Sequence, residues 1–317
     1  MKHLKTLTAL ACLGAATLAS TTAFAQAYPS RPIRLIIPQA AAGGSDLVAR
    51  AMADQIQQRL GQPFVIDNKP GGNEAIGPDI VAKAAPDGYT IGIISSTYSI
   101  NQTSVGPKLP YDPKKDLIPV APMVRIPMII MVRNELGVND VKQLAAYSKT
   151  KPGQLNYGSG GPTSFGGMAT EWLKKMSGAD ITSVPYGGKG LLQGIMGGDL
   201  QVLFGGLAAA APVLASGQVK IIAVTSSTRA AKLPDVPTVA ESFPGYDVVP
   251  WYGFVAPAGT PPAVIAKLNQ AITESVAAIT PKLLDMGNEP MKMSPGEFQA
   301  FMAKDLEMWK KIADATR

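Results

Sequence analysis

The sequence predicts an α/β protein of two lobes joined by a hinge of two connecting strands. Short β-branched runs alternate with amphipathic helical stretches, as packed α/β layers require. Two proline-rich extended runs, Leu117 to Val132 and Pro244 to Pro262, bracket a unit with its own strands and helices. Each lobe also holds a strand, a glycine-rich turn and a helix in that order.

The elements follow from local pattern. Ile33 to Ile37 is the first strand. A helix is expected from about Asp46 to Leu60, with Val48, Met52, Ile56 and Leu60 four apart on one face. Gly61 supplies the left-handed stop and Pro63 blocks continuation. Phe64 to Asp67 is a second strand, Glu74 to Ala84 a helix with Pro78 marking a break or late start, and Tyr89 to Ser95 a buried strand. The prolines at 119, 122 and 127 mark Leu117 to Val132 as a crossover rather than a central strand, and Pro244 to Pro262 as the return. Between them are expected a strand at Met128 to Val132, a helix at Val141 to Thr150, a strand at Leu155 to Tyr157, a helix from about Ser164 to Met176, and strands near Ile181, Val202 and Ile221. A helix at Pro262 to Ala278 follows the return. The last helix opens on the capping box Ser294-Pro295-Gly296-Glu297. Its stripe of Phe298, Phe301, Met302, Leu306, Trp309 and Ile312 reads as core packing.

Residues 1–25 read as a secretory signal peptide. Lys2 and Lys5 precede the apolar run Leu7 to Leu18, and Ala23-Phe24-Ala25 is a small-x-small cleavage site before Gln26. Cys12 sits too early, after Leu10-Ala11, for a good lipidation site. His3 and Cys12 are the only histidine and cysteine in the chain, so the exported protein has neither. Ser-His-Asp triads, Cys-His pairs, most zinc sites and redox thiols are excluded, and no metal and no cofactor are expected. The formal net charge of +6 falls to +4 once Lys2 and Lys5 leave. The remaining basic residues are scattered, which argues against nucleic-acid binding.

The two turns are the candidate chemistry. The first is Gln39-Ala40-Ala41-Ala42-Gly43-Gly44-Ser45-Asp46 and the second runs through Ser159, Gly161, Thr163 and Ser164. Glycine lets backbone approach a ligand, and a helix start offers unpaired N–H groups at a positive dipole end. Two such turns facing each other suit an anion such as a carboxylate. Known nucleotide and nucleophile motifs fail. The second turn lacks the last glycine of a dinucleotide fingerprint, and Gly188-Lys189-Gly190 lacks the frame of a P-loop. Carboxylate pairs such as Asp67 with Glu74 show no special spacing and read as surface charges or caps.

Several segments carry a family resemblance. Lys108-Leu109-Pro110-Tyr111-Asp112-Pro113-Lys114-Lys115-Asp116-Leu117 resembles a signature of the Bug proteins, the TctC-like solute receptors of tripartite tricarboxylate transporters. Ala85-Pro86-Asp87-Gly88-Tyr89-Thr90, Val184-Pro185-Tyr186, Leu233 to Glu241, Ala256 to Pro261 and the opening Tyr28 to Arg34 are similar to further family segments, in the same order. The resemblance implies a Venus-flytrap fold of the type II periplasmic-binding class that captures organic acids. It implies ligand contacts from the first turn, Gln39 to Asp46, and from Ser96, Thr97 and Tyr98 after the third strand. It implies others from Ser159 to Phe165, with Tyr186 and Gly205 completing the set. Three departures stand out. The first turn is alanine-rich, Gly167 stands where the family often has histidine, and Phe204-Gly205-Gly206 replaces a frequent Phe-Asp-Asn. The missing acid at Gly205 makes an amino-acid ligand less expected and a dicarboxylate or aromatic acid more so.

The resulting expectation has residues 26–124 and 249–317 as lobe one and 125–248 as lobe two. It is a periplasmic, monomeric, non-enzymatic binding protein. It delivers a small organic carboxylate to TctA/TctB-like membrane subunits or, alternatively, to a sensor. An exported lyase or hydrolase is the remaining rival.

Overall fold

The computed structural model describes residues 28–186 and 190–316. The leader, with Lys2, Lys5, Cys12 and the Ala23-Phe24-Ala25 site, lies outside the described residues, as do Gly187, Gly188 and Lys189. The chain begins with β1 (Ile33–Ile37), α1 (Gly44–Leu60), β2 (Phe64–Asn68), α2 (Ile76–Ala82), β3 (Thr90–Ser95), α3 (Ser96–Ser104) and β4 (Leu117–Arg125). It continues through β5 (Met128–Arg133), α4 (Val141–Thr150), β6 (Asn156–Ser159), α5 (Phe165–Ser177), β7 (Thr182–Pro185), α6 (Leu191–Gly197), β8 (Val202–Gly206), α7 (Leu207–Ala215), β9 (Val219–Val224) and α8 (Val239–Ser242). It ends with β10 (Trp251–Pro257), α9 (Pro262–Ala278), α10 (Thr280–Asp285), β11 (Glu289–Pro290) and α11 (Pro295–Thr316).

Two sheets result, one in each lobe. The first has the order β11-β4-β10-β3-β1-β2 and the second β7-β6-β8-β5-β9. β1 pairs in parallel with β2 and β3, and β6 in parallel with β7 and β8. Val48, Met52, Ile56 and Leu60 of α1 pack on the first sheet with β1 and β3, which makes the four-spaced apolar stripe core, as its period requires.

The proline-rich runs differ from expectation. β4 carries Pro119 and Pro122 yet lies inside the first sheet, between β10 and the two-residue β11. Its register against β10 shifts beside both prolines, between Tyr252 and Gly253 and between Phe254 and Val255. These bulges absorb the missing donors. Trp251–Pro257, expected as part of an extended return, is the buried strand β10 between β3 and β4. The crossings themselves are shorter. Ile126 N donates to Pro250 O at 2.8 Å, so the two connections are bonded side by side.

α11 ties the lobes together. Phe298, near its start, meets Trp251 of β10 edge-on at 5.5 Å. Gly253 leaves room for that ring, since a Cβ there would press on Phe298. Trp309 and Ile312, near its end, belong to the core of the second lobe, where Trp309 meets Phe165 edge-on at 5.4 Å. The capping box forms: Ser294 N donates to Glu297 Oε2 at 2.8 Å and Glu297 N to Ser294 Oγ at 3.3 Å.

Candidate ligand-binding cleft

A cavity of about 490 Å³ lies between the sheets. Its walls follow the carboxyl ends of β1, β3, β6 and β8, where open α/β sheets collect ligands. From the first lobe come Gln39, Ala42 and Gly44 of the first turn, Ser96 and Thr97 after β3, and Tyr252 of β10. From the second come Ser159, Ser164, Phe165, Phe204 and Gly206. Ile126 and Pro250 of the crossings close the back.

The first turn is held by its own side chains. Gln39 Oε1 accepts from Ser45 N at 3.0 Å and from Ser45 Oγ at 2.9 Å. Asp46 is buried beneath the turn. Its carboxyl accepts from Ala42 N and Arg50 Nε, each at 2.9 Å, and from Asn68 Nδ2 at 3.0 Å. Burial alone would raise its pKa, but these three donors outweigh it and hold the group below the ordinary aspartate value. No side chain caps α1, whose start at Gly44 faces the cavity. A Cβ at Gly44 would stand 2.6 Å from Tyr252 Oη, so glycine is what lets the helix start approach β10.

β3 runs directly into α3, with Ser95 Oγ accepting from Thr97 N at 3.0 Å as the N-cap. Ser96 and Thr97 are therefore residues of a helix start and not of a loop. In the second lobe Ser164 caps α5: its Oγ accepts from Gly167 N at 3.1 Å and donates to Gly161 O at 2.7 Å. A side chain at Gly167 would press on the Gly161 carbonyl, so the histidine frequent in relatives has no place on this turn.

Several expected contacts lie outside the cavity wall. Ala40 and Gly43 close the first turn on each other through Gly43 N to Ala40 O at 2.9 Å. Ser45 and Asp46 are spent on internal bonds, as described. Tyr98 points into the first lobe, donating to Pro113 O at 2.6 Å and stacking on Tyr111. Gly161 and Thr163 form the outer part of the second turn, and Tyr186 bonds Asp199 Oδ2 at 3.3 Å beyond it. Gly205 faces the opposite side of β8 from the cavity. A Cβ there would meet Met131, while its neighbours Phe204 and Gly206 line the cleft, as strand alternation dictates. An acid at 205 would not have reached a ligand in this cavity.

The cleft does hold an acid, at a position whose polar sequence neighbours suit a surface turn. Glu74 lines the cavity. Gly71, Gly72, Asn73 and Glu74 take φ of 123°, 58°, 50° and 66° in succession, and this left-handed run turns the Glu74 side chain inward. Glu74 Oε1 accepts from Gln39 Nε2 at 2.7 Å and Oε2 accepts from Ser95 Oγ at 2.6 Å. Burial pushes its pKa up, against the pull of those two bonds. Asn73 reaches across the cleft, its Nδ2 lying 3.4 Å from Thr163 O of the other lobe.

A family profile described as the tripartite tricarboxylate transporter family receptor, TctC, matches residues 48–317. The chain belongs to this family. Among TctC relatives, protein BugT of Bordetella pertussis is 32% identical over 301 residues, spanning 92% of this chain and 91% of BugT. Two solved structures share its fold closely. Rpa4515 of R. palustris with adipate superposes with a TM-score of 0.82 at 33% identity, covering 91% of this chain and 98% of that one. MatC of Rhodopseudomonas palustris with bound malate superposes with a TM-score of 0.76 at 30% identity, covering 90% and 99%. The two-lobed periplasmic-binding architecture is thus a TctC-type receptor fold, and receptors of this class bind solutes rather than transform them.

Proposed function

We propose that this TctC-family receptor captures a small organic carboxylate in its interlobe cleft and delivers it to a tripartite membrane transporter. The observation that carries the reading is the pair of helix starts, α1 at Gly44 and α5 behind Ser164, that face one cavity from opposite lobes. Backbone N–H groups there, with Ser96, Thr97 and Ser159, offer neutral donors to a carboxylate. The adipate and malate of the two solved relatives support a ligand of this class.

Micromolar affinity needs about −8 kcal/mol. One exposed helix terminus supplies roughly 0.3–1 kcal/mol, so donors from both lobes must act together in a closed cleft. Residues 26–124 with 249–317 then act as one lobe and 125–248 as the other, apart from the end of α11, whose Trp309 and Ile312 pack in the second lobe's core. Closure turns about the 126–128 and 249–250 crossings. Nothing in this reading breaks a covalent bond. Export relies on removal of the leader after Ala25, which places the receptor in the periplasm. N-terminal sequencing of the periplasmic protein should begin at Gln26.

A thermal-shift screen of mono-, di- and aromatic carboxylates on the mature protein tests the reading. A ligand at 100 times its Kd should stabilise by about 2.7 kcal/mol. A panel in which no carboxylate shifts the transition overturns it.

A further inference from the structure

We propose that Glu74 gives the cleft a donor-seeking end, so that the preferred solute carries an N–H donor, ammonium or amide, as well as its carboxylate. This rests on the carboxylate reading above and narrows it.

The hydrogen bond from Gln39 to Glu74 has only one consistent direction. Ser45 N is a backbone donor, so the Gln39 atom it meets is the oxygen, and the Gln39 amide nitrogen must face Glu74. Thr97 N donates to Ser95 Oγ, and the Ser95 hydroxyl in turn donates to Glu74 Oε2. Each carboxyl oxygen therefore receives one protein donor and keeps a further acceptor site. The Gln39 amide nitrogen can only donate, so Oε1 is an acceptor whichever way the Ser95 hydroxyl turns. The network is built around an acceptor whose remaining capacity is open to the cavity.

Among the described residues, no lysine, arginine or histidine lines that cavity. Tyr252 of β10 is the titratable side chain facing Glu74, and burial together with the Glu74 charge raises its pKa. The positive partner is thus left to the solute. A second ionised carboxylate beside Glu74 would add like charge to a dry site unless one of the two carries a proton. An ammonium or amide there would satisfy an acceptor that is otherwise costly to desolvate. A dicarboxylate can still enter by bringing one proton to share with Glu74, and its binding should weaken as pH rises. The solute carboxylate then lies at the α5 start, where Ser159 and Ser164 line the wall.

Calorimetry on matched acids tests this. One aliphatic series is adipate, adipamate and aminocaproate; one aromatic series is terephthalate, terephthalamate and aminomethylbenzoate. Each is titrated near neutral pH into the wild type, Glu74→Gln and Glu74→Gly. Glycine suits the left-handed backbone at 74, so Glu74→Gly keeps the fold. In at least one series the nitrogen-bearing acids should bind the wild type about tenfold or more tightly than the diacid. Glu74→Gly should erase that preference, and Glu74→Gln should lose the ammonium acid while holding the amide within a few-fold. If a diacid binds most tightly and Glu74→Gly leaves its affinity unchanged, the role of Glu74 is overturned while carboxylate capture stands. If no organic acid binds the wild type, both fall together.

Discussion

Gly44 illustrates how a single missing Cβ sets the cleft. Its α-carbon lies close enough to Tyr252 that a methyl would stand 2.6 Å from the phenol oxygen. Gly44→Ala should displace Tyr252, which is 8% exposed, at about 1–3 kcal/mol. Urea unfolding measures that cost, and calorimetry should show weaker solute binding beside it. Asp305 makes the opposite kind of prediction. It lies at the junction of α11, α3 and β10, where burial pushes its pKa up to about 6. Ser99, Trp251, Trp309 and Arg125 pull the other way, the first three without direct hydrogen-bond geometry. The folded state therefore holds this proton more tightly than the unfolded chain does. Stability should fall as pH climbs from about 4 to about 6, by an order of 3 kcal/mol. Asp305→Asn should flatten that fall and raise the melting temperature above pH 7; a parallel decline in the variant would remove Asp305 from the account. Residues of this kind are poorly legible in sequence. Glu74 sits in a polar stretch, Lys69-Pro70-Gly71-Gly72-Asn73-Glu74, that reads as a surface turn. Only the left-handed backbone, which spacing cannot reveal at non-glycine positions, turns it inward.

Elements are legible in the sequence where one face is wet and obscure where none is. α1, α9 and α11 show apolar stripes because each packs one side on a sheet or core. β10 is buried at all seven residues, so it has no alternation, and prolines at both ends disguised it as a crossing. α3, Ser96–Ser104, buries Ser96, Thr97, Ser99 and Asn101, so no stripe marks it as a helix. α7, Leu207–Ala215, fails for the converse reason, being apolar nearly throughout. The α5 start makes the testable case at this scale. Ser164 was expected as a direct ligand contact, and its oxygen is also the N-cap. Ser164→Ala should cost about 1 kcal/mol of stability through the lost cap. Ser164→Asp, which can cap as well, should restore that stability yet repel a carboxylate ligand. Thermal melts with and without solute separate the two effects.

At the scale of the whole molecule, three of the connections that couple the lobes differ in character. Two are the hydrogen-bonded crossings, supported by an Arg125–Asp247 pair at 3.2 Å that is partly exposed. Arg125→Ala should change stability by less than about 1 kcal/mol, because exposed ion pairs contribute little. The third is α11, whose Trp309 is fully buried in the second lobe. Trp309→Ala should cost about 3–5 kcal/mol in urea unfolding. A loss as small as that of Arg125→Ala would mean that α11 does not bind the lobes together. The glycine-rich turns, the hinged layout and the family resemblance were legible because they are local or ordered along the chain. The roles of α11 and Glu74 were not, since both depend on which residues meet across the fold.

The edge-on contact of Trp309 with Phe165 has an optical consequence. Phe165 lines the cleft, and its ring lies 5.4 Å from one of only three indoles in the chain. A solute that moves Phe165 changes the surroundings of a buried fluorophore. The receptor therefore carries its own reporter, and ligand addition should shift or quench its emission without any attached dye. Trp309→Phe should silence that signal while Trp172, on the far turns of α5, continues to emit.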